Sequence, residues 1–149
     1  MDKKKVIVAD LDEKLRRLLV EAIDAQGDLV TVAETGDGEA LVELARQRQA
    51  DVVVMDMVLA RMDGMEVLSA LGQLVPKPRV LVLSGFAAGG MAELCAGQGA
   101  DYLMLKPCRT AAVVERVSQL ALALSAGADE EDKGRGLEST VTAIIHEIG

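Results

Sequence analysis

Asp10, Asp56, Ser84 and Lys106 are the residues of this sequence equipped to do chemistry together, in the segments VIVAD, VVVMD, SGF and LKP. Two carboxylates brought close repel each other, so such a pair calls for a cation, and oxygen ligands with open positions suit hydrated Mg²⁺. A carboxylate beside Mg²⁺ and a lysine can attack phosphorus and form an aspartyl phosphate. The metal and the ammonium then neutralise charge on the transferring oxygens, and the Ser84 hydroxyl has a phosphoryl oxygen to hydrogen-bond.

Such a site exists only if the chain gathers four residues spread over nearly a hundred positions. Apolar periodicity divides the first ~125 residues into short apolar runs alternating with longer amphipathic stretches, the pattern of β-α repeats around a parallel sheet. Strands are expected at Val6–Ala9, Leu29–Ala33, Val52–Met55, Val80–Leu83 and Tyr102–Leu105. Each is apolar at consecutive positions, as strands covered by helices on both faces are. Helices are expected at Glu13–Ala25, Gly38–Arg48, Met65–Leu74, Ala88–Ala96 and Thr110–Leu124, with Gly89 and Gly90 weakening the start of the fourth. The reading is a doubly wound α/β fold, a five-stranded parallel sheet between two helical layers. Polar residues at the carboxyl ends of its strands share one crevice, where open α/β sheets bind ligands.

A chain of 149 residues fits one compact domain and a tail. The domain is expected to span 1–126. Residues 127–136, GADEEDKGRG, read as a flexible linker with too little apolar surface to fold, and 137–149 as an amphipathic tail helix with Leu137, Val141, Ile144, Ile145 and Ile148 on one face. The core is aliphatic, since the chain has one Phe, one Tyr and no Trp. A net charge of −8 argues against a phosphate-tracking surface, so no nucleic-acid binding is expected of this chain alone. No apolar run approaches the roughly 20 residues that span a bilayer, and the start shows no signal-peptide core, so no membrane partner and a cytoplasmic location are expected. Cys95 and Cys108 lack CxxC spacing and read as small apolar residues.

The segments VVVMD at 52–56, DG at 63–64, SGF at 84–86 and LKP at 105–107 resemble, in order and spacing, the signatures of response-regulator receiver domains across roughly residues 4–125. The resemblance implies a flavodoxin-like fold with strand order 2-1-3-4-5. It also implies a phosphoacceptor role for Asp56, metal-side roles for Asp10 and the Val58 carbonyl, a switch-hydroxyl role for Ser84, and for Lys106 a place before a proline that favours a cis bond. The partners it implies are a histidine kinase or phosphotransfer protein, and a second copy of the chain through the fourth helix, fifth strand and fifth helix. It implies a phosphoacceptor domain rather than a conventional enzyme. The tail LESTVTAIIHEIG resembles the opening of the effector domain of stage-zero sporulation regulator A proteins, which would make a full-length parent a DNA-binding transcription factor.

Three positions depart from the receiver pattern. Leu11 stands where receivers carry a second acid, and a weaker metal affinity is expected. Asp12, one residue on, has two readings, a helix N-cap and a metal ligand. Leu103 stands where many receivers have the aromatic that moves with the hydroxyl residue, and Tyr102 beside it points to the opposite face of a strand. Ala60 replaces a common proline, with a looser loop expected. Leu11 and Leu103 support an alternative, a phosphorylation-independent pseudo-receiver acting as an interaction module. Asp10 and Asp12 also form the DxD of haloacid-dehalogenase-like phosphatases, but those need an acidic pair after their lysine, and the first acid beyond Lys106 is Glu115 in mid-helix. Asp63 and Gly64 read as a turn and cap, Lys3–Lys5 as a solvated start to the first strand, and His146 as a surface residue of the tail.

Overall fold

The computed structural model describes residues 2–85 and 90–127. The tail at 137–149, nearly all of the linker, Phe86 and the expected first turn of the fourth helix at 88–89 lie outside the described residues.

Five strands, β1 (Lys4–Ala9), β2 (Leu29–Thr35), β3 (Val52–Asp56), β4 (Arg79–Ser84) and β5 (Tyr102–Leu105), form one parallel sheet in the order β2-β1-β3-β4-β5. Helices α1 (Glu13–Asp24), α2 (Gly38–Arg48), α3 (Gly64–Leu71), α4 (Met91–Gly97) and α5 (Thr110–Gly127) connect and follow them. This is the expected flavodoxin-like order. Side chains alternate across each strand, and the consecutive apolar residues of the strands therefore feed two cores. Ile7, Val53, Met55, Val82 and Leu103 pack toward α2, α3 and α4, and Val6, Val8, Val54, Leu83 and Tyr102 toward α1 and α5. Leu103 and Tyr102 thus face opposite layers, as strand geometry requires.

Strand register positions the site. Ala9 lies opposite Met55, Asp56 opposite Leu83, and Ser84 opposite Leu105, so the carboxyl ends of β1, β3, β4 and β5 end level with one another. The helices start where aspartates can cap them: Asp12, Asp37 and Asp63 each accept backbone N–H bonds in the first turns of α1, α2 and α3. Helix α3 stops at Leu71 rather than at the expected Leu74, because Gly72 occupies its C-cap. Helix α4 begins at Met91 behind Gly90, which has φ 82° and supplies no side-chain cap.

The loop between β3 and α3 is not loosened by Ala60. The Ala60 amide donates to the Gly36 carbonyl at 2.9 Å, its carbonyl accepts from Gly38 N at 2.8 Å, and Arg61 in the left-handed region pairs with Asp37 at 2.7 Å. A proline at position 60 would lack the first of these donors. The alanine therefore allows a stitch between two loops, where a softer backbone was expected.

Candidate functional site

At the carboxyl edge of the sheet, Lys106 joins the two acids. Its Nζ donates to Asp10 Oδ2 at 2.7 Å and to Asp56 Oδ2. The remaining carboxylate oxygens are held by backbone: Asp12 N donates to Asp10 Oδ1 at 2.8 Å, and Val58 N donates to Asp56 Oδ1 at 2.8 Å. Both acids sit at or just beyond the ends of strands whose apolar residues are buried on both faces. Side-chain exposure is 5% for Asp10, 13% for Asp56 and 23% for Lys106, so the ion pairs are shielded from bulk water without being sealed.

Burial alone would lower the Lys106 pKa, but the hydrogen bonds and charges of Asp10 and Asp56 outweigh it, and the group is held above the ordinary lysine value. Lys106 is further anchored by its own amide, which donates to the Ser84 carbonyl at 2.8 Å, and it precedes Pro107 through a cis peptide bond, as expected. Ser84 is fully buried at the end of β4. The structure thus brings Asp10, Asp56, Ser84 and Lys106 to one edge.

The donor set suits a hard cation. Two carboxylates converge on a single point of positive charge, and among the described residues no group of three or more His, Cys, Asp or Glu side chains gathers as a metal site. Two acids with a backbone carbonyl and water in the remaining positions is a combination that suits Mg²⁺. Leu11, at the position of the missing acid, is 53% exposed and contributes no ligand atom. Asp12 is occupied otherwise: its Oδ1 accepts from Lys14 N at 3.0 Å and from Leu15 N at 3.2 Å, which is the N-cap reading of this residue.

The cysteines take no part in the site geometry. Burial raises the pKa of both Cys95 and Cys108, with Lys106 partly opposing it at Cys108, so both are held as neutral thiols. Sequence reasoning passed over one nearby residue, Arg16. Its Nη1 donates to the Asp10 carbonyl at 2.7 Å while its Nε pairs with Glu34 Oε1 at 2.9 Å. Nothing in the sequence marks Arg16 apart from the neighbouring Arg17; only the folded position of β2 does.

The sequence model of the response regulator receiver domain matches residues 6–118. Among solved structures, the signal receiver domain of NarL from Mycobacterium tuberculosis is 29% identical, with a TM-score of 0.76, and the match covers 81% of this chain and 98% of that one. The receiver domain of AraT from Geobacillus stearothermophilus is 27% identical, with a TM-score of 0.75 and coverage of 84% and 98%. A complex of CheX with CheY, BeF3 and Mg²⁺ from Borrelia burgdorferi is 22% identical over 80% of this chain and 90% of that one, with a TM-score of 0.73, and shares the fold.

Proposed function

From the premise that this chain belongs to the response regulator receiver domain family, we propose that it is a two-component phosphoacceptor switch in which Asp56 receives a phosphoryl group from a histidine kinase or phosphotransfer protein. The observation that carries this reading is the Lys106 ammonium shared between the Asp10 and Asp56 carboxylates at the carboxyl edge of the sheet. A carboxylate oxygen of Asp56 attacks phosphorus and forms a new P–O bond. The bond from phosphorus to the donor breaks, and its electron pair leaves with the donor's imidazole nitrogen. Lys106 sits where it can neutralise a phosphoryl oxygen while keeping its ion pair with Asp10.

The carboxylates of Asp10 and Asp56 and the carbonyl of Val58 would hold Mg²⁺, which would add to the neutralisation of the transferring oxygens. Ser84 is the hydroxyl assigned to the phosphoryl group after transfer. The charge introduced at Asp56 then biases Ser84 and the α4 region between two packings and changes the surface formed by α4, β5 and α5. Leu94 on α4 and Leu122 on α5 are more than half exposed, which supports that surface as the place where a second copy docks.

The test is intact mass after incubation with acetyl phosphate and Mg²⁺, comparing wild type with Asp56→Asn. One added phosphoryl group, lost in the variant and with chelator, is the expected result. No gain with either acetyl phosphate or a histidine-kinase donor, the fold being intact, would favour the pseudo-receiver reading that Leu11 and the buried Leu103 support.

A further inference from the structure

We propose that Arg16 is a positioning residue for the cation site, working through the backbone of Asp10. The inference rests on the receiver reading above, because it concerns how that site holds its metal-side acid. Asp10 lies between the end of β1 and the start of α1. Its amide donates to the Thr35 carbonyl at 3.0 Å, and its carbonyl accepts from Arg16 Nη1 at 2.7 Å. The guanidinium is aimed by Glu34, which takes its Nε at 2.9 Å, and the two side chains are only 18% and 31% exposed. One planar fork therefore ties the β1–α1 turn to the end of β2, a task suited to arginine and poorly met by lysine.

The space for this contact comes from Gly36. A Cβ at position 36 would lie 3.3 Å from Arg16 Nη1 and 3.3 Å from the Asp10 carbonyl oxygen, tight against both partners of the bond. With Leu11 in place of the second acid, Asp10 and Asp56 are the carboxylates left to face a cation. Any rotation of the Asp10 peptide moves half of that set. A metal ligand whose backbone is steered from outside depends on the steering group, and loss of such partners typically weakens metal affinity by about tenfold or more.

Charge and positioning predict opposite results here. Removing Arg16 leaves the Glu34 carboxylate uncompensated near the site, so a purely through-space effect would tighten Mg²⁺ binding. Loss of positioning would weaken it.

The experiment is a Mg²⁺ titration of the full chain followed by backbone amide NMR shifts at Asp12 and Val58, alongside acetyl-phosphate mass gain. Arg16→Met is expected to raise the Mg²⁺ dissociation constant about tenfold, with the wild-type rate of mass gain recovered at saturating Mg²⁺. Arg16→Lys keeps the charge and removes the fork, so it reports on positioning alone and serves if Arg16→Met fails to fold; a loss of several-fold is expected. Unchanged or tighter binding in either folded variant overturns the positioning role while leaving the receiver reading intact. A wild type that neither binds Mg²⁺ nor gains a phosphoryl group overturns the receiver reading, and this inference with it.

Discussion

Replacing Lys106 by methionine keeps the aliphatic stem and removes the charge shared by Asp10 and Asp56. Two carboxylates, 5% and 13% exposed, would then face each other with no cation between them. Breaking a buried ion pair by deleting one partner costs about 3–5 kcal/mol, because the remaining charge stays desolvated. The Lys106 head group is 23% exposed, so water reaches the gap, and the lower end, about 3 kcal/mol, is the expected loss. For a chain of this size that corresponds to a fall in melting temperature of about 6–12 °C. Thermal and urea unfolding at neutral pH in chelator, followed by circular dichroism, measures it directly.

The pH dependence has a definite sign. Because the folded-state pKa of Lys106 is raised above 10.5, its contribution is fully present below that value. It is lost as pH rises through the raised value, and the gap between wild type and variant closes there. Added Mg²⁺ should also narrow the gap, since the metal replaces the missing charge. A variant that melts within 1 °C of wild type at neutral pH without Mg²⁺ would refute the claim that Lys106 holds the two acids together.

Asp12→Ala removes the cap bonds to Lys14 N and Leu15 N, and a stability loss of about 1 kcal/mol in urea titration, with the Mg²⁺ dissociation constant unchanged, is expected. A large loss of Mg²⁺ affinity would instead make Asp12 a ligand. Gly64→Ala places a Cβ 2.6 Å from Met57 Cα and 2.7 Å from the Met57 carbonyl oxygen, next to Asp56, so about 3 kcal/mol of destabilisation and slower acetyl-phosphate labelling should appear together. Leu11→Asp, at a half-exposed position with little packing to lose, should tighten Mg²⁺ binding on the order of tenfold by adding a third carboxylate, read by calorimetric titration. Binding no tighter than wild type would mean that the turn points position 11 away from the cation.

Strand and helix identity were legible because each is a local pattern. Continuous Val and Leu runs mark strands covered on both faces, and Asp12 and Asp63 mark the starts of two helices. The same patterns set Asp10, Asp56, Ser84 and Lys106 just beyond strand ends, and a parallel sheet has one carboxyl edge, so their convergence followed from topology. The opposite facing of Leu103 and Tyr102 followed from the two-residue period of a strand. Other features needed three dimensions. That Asp12 caps α1 rather than facing the site depends on the direction of one turn, because the sequence left both readings of this residue open. That Ala60 stitches its loop to Gly36, rather than loosening it, depends on a neighbour 24 positions away. The pairing of Arg16 with the Asp10 carbonyl depends on where the end of β2 lies. Periodicity and capping act between residues a few positions apart and are written along the chain, whereas side-chain forks and loop-to-loop bonds join segments that only the completed sheet brings within hydrogen-bonding distance.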